Sequence, residues 1–513
     1  MVKKNINILF GKIFYGVLFA ALIPLLLFFW GSSLDKIKSV LLPTPELAVF
    51  ALALLFLGAF LVFKAMLDLF FLGKGLPMNV FPPHKFVTKG IYAWLAHPIY
   101  FGAGMIAFGI ALWFESPAGL FVVAPVFILA MVSLVGGYEH FSYVKIFGNA
   151  ALRHRPILSL PPVGLFRRFL ISSAIFISVA TYLLMLIYLF DLNFDDNQPL
   201  FWLIIGLILL LSLNYPMIWR SLKKASEATA NSRKDYMFFG GKFRIINHGL
   251  YSGLAGFIAV LIGGYIIGNN FAILIFSVCT ILGGALFAQL RWGNPSLLRP
   301  YGFWGGFIGG AAGMLLIKLL FNVPIHQSML AAALSMPLAQ AMGRMRCLSQ
   351  GCCHGIIASK NIGIRVWQNQ SRVVTLSGLK GKAIHATQLY SILFNLWLAL
   401  LLFAMWYSQK FGAPLIIGMY LILTGIERFT EDAYRGEKQT RMARGLQENQ
   451  YIAIAALLIG IAISLLPFPA LIPALGCWNL GLFITAGIGA VFAAFAMSMD
   501  FPKSKSRFSR LSG

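Results

Sequence analysis

A succession of long apolar runs, separated by short polar loops, constrains this chain more than any other feature of its sequence. A run of about 20 apolar residues matches the ~30 Å hydrocarbon core of a bilayer. Backbone groups in hydrocarbon must be hydrogen-bonded within their own segment, so these runs predict helices. The runs lie near residues 7–30, 46–72, 97–114, 118–136, 166–190, 200–214, 250–268, 271–289, 303–321, 329–342, 386–408, 412–427, 451–467 and 479–498. We predict an all-α polytopic membrane protein, with a five-helix domain followed by a domain of seven to nine segments.

Composition also places the chain in a membrane and excludes an ordinary soluble fold. The chain is 59% hydrophobic and 11% charged, whereas soluble domains average about 25% charged residues. Its formal net charge is +25. Cytoplasmic loops of membrane proteins collect Lys and Arg, and anionic lipid headgroups attract them. We therefore expect the bilayer, and not nucleic acid, to be the partner of the basic residues.

The distribution of basic residues predicts the orientation and the domain boundaries. The basic loops around the early helices contain Lys3, Lys4, Lys74, Lys85, Lys89, Arg153, Arg155, Arg167 and Arg168. The loop DLNFDDNQP at 191–199 contains neither Lys nor Arg and is predicted to be external. We expect a multi-pass protein of the bacterial inner membrane with both termini in the cytoplasm. The predicted units are residues 1–190, the external acidic linker 191–199, residues 200–500 and a basic cytoplasmic tail at 501–513.

Polar side chains at both ends of one helical hairpin form a candidate site in the N-terminal half. Residues 81 to 102 read FPPHKFVTKGIYAWLAHPIYFG, and residues 138 to 148 read YEHFSYVKIFG. Ser116-Pro117 splits the intervening apolar sequence into two helices. His97 and Glu139 would then lie at the two cytoplasmic ends of the hairpin, with Tyr92 or Tyr100 around the same cavity. The plainer alternative is that His97 and Glu139 only pair to cap two helices.

Residues 50 to 165 resemble the isoprenylcysteine carboxyl methyltransferase and phospholipid methyltransferase family. The pattern is G-x-Y-x-x-x-x-H-P-x-Y-x-G, a helical hairpin and E-x-x-x-x-x-x-x-F-G. The resemblance implies that S-adenosylmethionine binds in a cytoplasmic pocket and that a lipid-borne acceptor enters from the bilayer. The implied cofactor-binding residues are Tyr92, His97, Pro98, Tyr100, Gly102 and Glu139, and Glu139 is also an implied catalytic residue. Ala96 and His140 stand where the family has Arg and a second Glu.

Three stretches of the C-terminal half carry polar residues at membrane depth. They read RPYGFWGGFIGGAAG at 299–313, GRMRCLSQGCCHG at 343–355, and HATQLY at 385–390 followed by GIERFTEDAYRGE at 425–437. Arginine is the natural clamp for a phosphate group. Arg428, Asp432 and Arg435 recur at i, i+4 and i+7, on one helix face, and such residues usually line a polar cavity. A structural ion pair between Arg428 and Asp432 is the alternative.

The thiols of the second stretch leave several interpretations open. Two or three thiolates with His354 would suit zinc, but the adjacent Cys352 and Cys353 make a structural site awkward, and we expect no metal. Flanking arginines would lower a thiol pKa, which favours a reactive cysteine. Simple packing is the plainest role for at least one of Cys347, Cys352 and Cys353.

Taken together, these stretches resemble the prolipoprotein diacylglyceryl transferase family over about residues 200 to 470. The combination is G-R-x-x-x-x-x-x-G-x-x-x-G, H-x-x-Q-L-Y, R-F-x-x-[DE]-x-x-R and a later Gln450. The resemblance implies diacylglyceryl transfer from phosphatidylglycerol to a cysteine thiol of a lipoprotein precursor. The implied catalytic residues are Arg344, His385, Arg428 and Asp432. The implied substrate-binding residues are Arg344, Arg346, Gly355, Gln388, Tyr390, Arg428 and Arg435.

Departures from the two families define the alternative function. Cys347 and Cys352 replace the second family's Asn and Glu, and Tyr301 or Trp304 stands where it has an essential His. We predict a membrane lipid-modifying transferase, with S-adenosylmethionine-dependent methyl transfer to a lipid-borne acceptor in the N-terminal half and diacylglyceryl transfer from phosphatidylglycerol to an undetermined acceptor in the C-terminal half. Which half is active stays open, and the alternative is a lipid-binding or scaffolding membrane protein with degenerate sites. Counting spans places 343–384 in the cytoplasm, although that family's chemistry faces the periplasm. A re-entrant segment at 329–342, with one compensating change later in the chain, would reconcile the two.

Overall fold

The structure is a computed structural model that describes residues 11–76, 83–148, 150–151, 214–292, 302–437, 442–443, 445–467 and 478–504. The run predicted near 166–190, the acidic linker, nearly all of the run near 200–214 and most of the basic tail lie outside the described residues. Within the described part, nine helices are long and apolar enough to cross a membrane. The predicted all-α polytopic fold is thereby confirmed.

The described N-terminal half consists of two helical hairpins. Its helices are α1 (Gly11–Lys36), α2 (Ala48–Gly73), α3 (Pro98–Trp113) and α4 (Gly119–Phe147). Proline begins α3, where its missing N–H has no helical partner to lose. The α3–α4 turn is held by the Asp35 carboxylate at the end of α1, which accepts the Ala118 N–H at 2.9 Å and the Ser116 hydroxyl. The predicted hairpin break at Ser116-Pro117 is therefore where the chain turns.

Helices α2 and α3 approach so closely that glycine is required at their contact. A Cβ atom added to Gly58 would lie 2.7 Å from the carbonyl oxygen of Gly102 and 2.9 Å from Cγ1 of Ile106. Small residues permit this close backbone approach in membrane helices. Helix association in lipid is driven by van der Waals packing, because the hydrophobic effect does not act between helices there. The contact fixes α3, and with it the chain segment that carries His97.

We expect Gly58→Leu to destabilise the protein by about 1–3 kcal/mol, the usual cost of overpacking a filled contact. The measurement is thermal unfolding of the purified protein in detergent. Gly487→Ala is the matched control, because Gly487 is also helical and a Cβ there meets no atom within 4 Å. A melting temperature of Gly58→Leu equal to that of the control would contradict the close approach.

The described C-terminal half contains ten helices, of which α5 is amphipathic and α10 is a single turn. These are α5 (Tyr215–Asn231), α6 (Gly249–Ile267), α7 (Asn270–Trp292), α8 (Phe303–Phe321), α9 (Ile325–Gln350), α10 (Arg372–Thr375, a single turn), α11 (Thr387–Ser408), α12 (Ala413–Ala433), α13 (Glu448–Ser464) and α14 (Leu480–Ser498). Short antiparallel strands form three small sheets at the helix ends. The strands are β1 (Asp235–Phe238), β2 (Phe243–Ile246), β3 (Ile364–Arg365), β4 (Ala383–Ile384), β5 (Met442–Ala443), β6 (Leu446–Gln447) and β7 (Met499–Asp500).

Helix α9 contains residues 329–342, which were considered as a re-entrant segment. It has 26 residues, which at 1.5 Å per residue gives about 39 Å, enough to cross a bilayer. Ser328 near its start and Ser349 near its end are buried in the protein, which makes its ends less apolar than those of a lipid-facing helix. The run at 329–342 is thus the middle of one continuous helix, and the re-entrant interpretation was wrong.

Helix α12 lies at the centre of the molecule, and the N-terminal half packs against it. The Ser133 hydroxyl of α4 donates to the Ile426 carbonyl at 3.0 Å. A Cβ on Gly137 would lie 2.9 Å from the ring of Phe429. At the opposite end, a β-bridge joins Val40 to Phe411, just before α12 begins. The start of α12 therefore lies beside the end of α1, and its end lies beside the end of α4.

The direction of α12 places two groups of polar residues on one side of the membrane. Tyr434, directly after α12, contacts the ring of Phe141 in α4 with centroids 5.1 Å apart. Glu139 belongs to the same part of α4, and Arg428 belongs to the last turns of α12. The candidate sites of the two halves therefore lie at the same membrane face, which is also the face where α9 ends and α11 begins.

Candidate functional site

A cavity of about 970 Å³ lies among α6, α7, α8, α9, α12 and α14. Most of its wall is apolar, with side chains such as Phe276, Phe307 and Met336. Leu315 and Phe492 line it and are 57% and 44% exposed, so the cavity reaches the lipid-facing surface. Five arginines line its polar end: Arg344, Arg346, Arg372, Arg428 and Arg435. A cavity with apolar walls and a cationic end is complementary to an amphiphile with an anionic headgroup.

Glu431 organises the arginines at the polar end. Its Oε2 accepts hydrogen bonds from Nη2 of Arg344 and Nη1 of Arg428, both at 2.8 Å, and its Oε1 accepts one from Nη2 of Arg435 at 3.0 Å. The carboxylate is 5% exposed. One buried anion therefore fixes three guanidinium groups in a single cluster, which we call the Glu431 cluster.

Glu431 was not predicted from the sequence, in which the acidic site residue was taken to be its neighbour Asp432. Asp432 lines the cavity, but it lies 2.9 Å from Nε of Arg435, and Arg428 pairs with Glu431 instead. The Arg428–Asp432 ion pair offered as an alternative is therefore not formed. The signal for Glu431 was in the sequence, since Glu431 is i+3 from Arg428 and i−4 from Arg435.

Arg346 is a buried cation with unused donors. It lines the cavity at 6% exposure, and its Nε and Nη2 atoms have no hydrogen-bond partner in the described part of the chain. Leaving a buried charged donor unpaired is costly. The arrangement therefore favours an anionic ligand that accepts these hydrogen bonds at the polar end of the cavity.

The other predicted residues of this half lie behind the cavity wall. The Gln388 Nε2 donates to the Cys352 carbonyl at 2.7 Å, and the Gly355 N–H donates to the His385 carbonyl at 3.1 Å. A hydrogen bond of 3.1 Å joins the His385 Nδ1 and the Tyr390 hydroxyl. His385, Gln388, Tyr390 and Gly355 are not among the residues found to line the cavity. For His385 this geometry favours support of the loop at 351–355 over a direct catalytic contact.

A second cavity, of about 1030 Å³, lies within the N-terminal half. It is lined by five of the predicted residues, namely Tyr92, His97, Pro98, Tyr100 and Glu139. Glu139 is 1% exposed; its Oε1 accepts a hydrogen bond from the Tyr100 hydroxyl, and its Oε2 lies 3.9 Å from Nδ1 of His97. A π-helical turn at Val135–Glu139 widens α4 here, a feature frequent at functional sites.

Two predictions for this cavity change in the structure. Gly102 is not one of its described lining residues; it faces Gly58 and serves the α2–α3 contact. Glu139 lies inside α4, which continues to Phe147, so the pair with His97 does not cap that helix. Burial, assisted by the nearby His140, lowers the pKa of His97, which keeps its imidazole neutral at pH 7.

Acidification below pH 6.5 is expected to destabilise the protein through His248. This ring is fully buried before α6, and neither ring nitrogen has a hydrogen-bond partner among the described residues. Burial, followed by the charges of Arg346 and Arg233, lowers its pKa well below 6.5. The unfolded chain therefore binds a proton below pH 6.5 that the folded chain excludes, and stability falls by up to about 1.4 kcal/mol per pH unit.

The measurement for His248 is thermal unfolding in detergent between pH 7.5 and pH 5.5. His248→Gln should flatten the dependence on pH, because it removes the group that titrates only in the unfolded state. His84→Gln at an exposed position is the control and should leave the slope unchanged. An undiminished slope in His248→Gln would contradict the prediction.

The fold and the two cavities define an integral membrane protein of the lipid-modifying transferase class. Residues 236–466 match the family model for prolipoprotein diacylglyceryl transferase. Phosphatidylglycerol–prolipoprotein diacylglyceryl transferase 2 of Clostridium perfringens (strain 13 / Type A) is 32% identical over 194 residues, 35% of this chain and 72% of that relative. The phosphatidylglycerol–prolipoprotein diacylglyceryl transferase of Clostridium tetani (strain Massachusetts / E88) is 27% identical over 199 residues, 36% of this chain and 76% of that relative. The chain belongs to the prolipoprotein diacylglyceryl transferase family and is a transferase.

The N-terminal half has a separate match. Residues 47–150 match the family model for phospholipid methyltransferase. Both resemblances drawn from the sequence are thereby confirmed, and each coincides with one of the two cavities. The match covers α2, α3 and α4 and the segment before α3, which together carry the predicted cofactor-binding residues.

Proposed function

We propose that the C-terminal half transfers a diacylglyceryl group from a phosphatidylglycerol-like donor to a thiol. The main support for this proposal is the set of five arginines at one end of an otherwise apolar cavity that is open to lipid. Both clostridial relatives are named for phosphatidylglycerol and prolipoprotein. A thiol acceptor, on a lipoprotein precursor or another carrier, accordingly fits this chain.

Different residues of the cavity would have different roles in this reaction. Arg346, with its unused donors, would bind the phosphate oxygens, and the Glu431 cluster would hold Arg344 and Arg428 around the same group. As the thiolate sulfur attacks the glyceryl carbon, an S–C bond forms and the C–O bond to phosphate breaks. The electron pair leaves with the oxygen as glycerol phosphate. Arginines stabilise the negative charge that develops on this leaving group.

For the N-terminal half we propose methyl transfer from S-adenosylmethionine to a lipid-borne acceptor. When bound, this cofactor supplies an already activated methyl group on a sulfonium. Tyr92, His97, Tyr100 and Glu139 would hold it, and the buried Glu139 carboxylate suits the positive sulfonium, as do the faces of tyrosine rings. A neutral His97 avoids repelling that charge. The protein's contribution is then to align donor and acceptor and to exclude water.

We further propose that both reactions take place at the cytoplasmic face of a bacterial inner membrane. The two polar sites share one membrane side, and the described loops and helical segments on that side are rich in basic residues. They contain Lys74, Lys85, Lys89, Lys145, Lys223, Lys224, Lys234, Lys242, Lys360, Arg365, Lys380 and Lys382. The opposite side has fewer, including Lys38, Lys318 and Lys410. This asymmetry supports cytoplasmic termini. The separate family matches of residues 47–150 and 236–466 support the proposed domain boundaries on either side of the acidic linker.

Arg346→Gln tests the donor site. In proteoliposomes that contain labelled phosphatidylglycerol and a cysteine peptide, we expect about tenfold slower formation of the thioether, because one charge-assisted contact is lost while the other arginines remain. Arg220→Gln at an exposed position is the control and should retain full activity. No transfer by the parent protein, together with unimpaired lipid binding, would favour the scaffolding alternative.

A further inference from the structure

Three cysteines of the C-terminal half meet at the polar end of the lipid cavity. Cys347 lies in the last turns of α9, and Cys352 and Cys353 follow directly after it. Their three sulfur atoms all lie within 4.8 Å of one another. All three residues also line the cavity beside Arg344 and Arg346.

Backbone geometry explains how two adjacent cysteines can face the same point. Gly351 ends α9 with φ of +78°, and Cys353 also lies in the left-handed region with φ of +58°. A non-glycine residue at positive φ is uncommon and needs support from its surroundings. The chain therefore turns twice within three residues, and this brings the sulfurs of Cys352 and Cys353 to that of Cys347. Cys352 and Cys353 are adjacent in sequence, which argued against a metal site, but this backbone turn lets both sulfur atoms face the same point.

The surrounding hydrogen bonds fix this turn. The Cys353 N–H donates to Oε1 of Glu437 at 2.8 Å. The Cys352 carbonyl accepts Nε2 of Gln388 at 2.7 Å, and the Cys353 carbonyl accepts the Thr387 hydroxyl. A site held by such contacts is preorganised, as metal sites with supported ligands are. This gives Gln388 a positioning role that its place behind the cavity wall did not otherwise explain.

We propose that Cys347, Cys352 and Cys353 bind one zinc ion, whose fourth position faces the cavity and takes the acceptor thiol. Zinc bound by sulfur is tetrahedral with Zn–S bonds of about 2.3 Å, so its sulfurs lie about 3.8 Å apart. Small changes of side-chain torsion bring the three sulfurs from their present separation to that distance. Three protein ligands and one open position are the arrangement of catalytic zinc sites.

The charge of such a centre suits its surroundings. Free Zn²⁺ would be repelled by the five arginines that line the cavity. Three thiolates reverse the sign, since the zinc and its ligands together carry a formal charge of −1, and a bound acceptor thiolate makes it −2. The guanidinium groups of Arg344 and Arg346 then stabilise the centre and the phosphodiester donor alike.

This inference rests on the proposed thiol acceptor and deepens it. The reaction needs a thiolate, and no histidine is found among the residues lining the cavity in the described part of the chain. A thiol that coordinates zinc would lose its proton to water, which supplies the nucleophile without a separate side-chain base. The thiolate would then form an S–C bond at the glyceryl carbon while the C–O bond to phosphate breaks, and the electron pair would leave with the oxygen as glycerol phosphate. The neutral thioether product is a poorer ligand than the thiolate and releases the fourth position.

The test begins with the full chain purified in detergent with reductant and without chelator. We expect about one zinc per chain by elemental analysis. Exchange with Co²⁺ should give a thiolate-to-cobalt charge-transfer band and the visible bands of tetrahedral cobalt. Cys347→Ser, Cys352→Ser and Cys353→Ser should each lose or strongly weaken that band. Cys279→Ser is the matched control, because Cys279 lies in α7 away from the cluster.

A second measurement tests the open position. A cysteine peptide added to the Co²⁺-substituted protein should change the visible absorption bands. The same peptide with serine in place of cysteine should leave them unchanged. The metal site is overturned if reduced wild-type protein binds neither Zn²⁺ nor Co²⁺, a result that does not depend on whether any variant folds. Loss of two thiols to a disulfide in the purified protein under reductant would likewise overturn it.

The metal site and the proposed function fail in different ways. Diacylglyceryl transfer to the cysteine peptide by metal-free protein would overturn the zinc inference and leave the proposed function intact. A cobalt spectrum that responds to the peptide, without any diacylglyceryl transfer, would support the zinc site and overturn the proposed transfer.

Discussion

Glu431→Ala is expected to abolish diacylglyceryl transfer and to destabilise the protein by about 3–5 kcal/mol, the cost of leaving buried charges uncompensated. The substitution removes the carboxylate that accepts hydrogen bonds from Arg344, Arg428 and Arg435. The three guanidinium groups would then repel one another, and the headgroup end of the cavity would lose its geometry. The measurements are thermal unfolding in detergent and thioether formation in proteoliposomes.

Glu431→Gln separates charge from shape in this experiment. The amide keeps the volume and can accept at its oxygen, but it brings two N–H donors toward arginines that are donors only. We expect a smaller loss of stability than in Glu431→Ala and an equal loss of activity. Glu46→Ala at an exposed position is the control. Activity of Glu431→Ala within a few-fold of the parent protein would show that the cluster does not organise the site.

The membrane helices could be predicted from the sequence because long apolar runs identify them by composition alone. The predicted runs at 46–72 and 303–321 correspond to α2 and α8 almost residue for residue. Helix α9 was predicted too short, since its ends carry polar residues such as Ser328 and Ser349 that are buried in the protein interior. Hydropathy measures contact with lipid, and a helix shielded by its neighbours gives a weak signal.

The small sheets and the Glu431 cluster could not be predicted from the sequence, for a different reason. The two-residue strands β3 and β4 exist only because tertiary contacts bring them together, and no periodicity can build up in two residues. Glu431 and Asp432 are adjacent carboxylates, and the sequence does not say which of them faces three arginines. The cavity arginines Arg344 and Arg428 were predicted, because charges at membrane depth are rare enough to be conspicuous.

The common membrane side of the two sites has a consequence for how the halves work together. Ring contacts run from Phe141 to Tyr434 and from Tyr434 to His385, with centroids 5.1 Å and 5.0 Å apart. His385 in turn supports the loop that bears Cys352 and Cys353. If both halves act as proposed, a lipid product formed in one cavity would need only lateral movement along one leaflet to reach the other, with no flip across the bilayer.

Glu139→Gln is expected to weaken S-adenosylmethionine binding by about 10–100-fold, which corresponds to the loss of one charge-assisted contact in a buried site. It leaves the volume of the cavity and the Tyr100 contact largely in place, while removing the negative charge that suits the sulfonium. Binding is measured by titration calorimetry on the detergent-purified protein, and methyl transfer with labelled cofactor in proteoliposomes. Glu115→Gln, at an exposed turn beyond the other end of α3, is the control.

The same variant also separates the two halves. Glu139 lies in α4 and the arginines of the other cavity lie in α9 and α12, so diacylglyceryl transfer by Glu139→Gln should stay within about twofold of the parent rate, a change smaller than the loss of one ordinary hydrogen bond. Unchanged cofactor binding would contradict the methyltransferase proposal for this half. Loss of both activities together, with folding preserved, would instead mean that the shared face couples the two reactions, and that the product of one half is the substrate of the other.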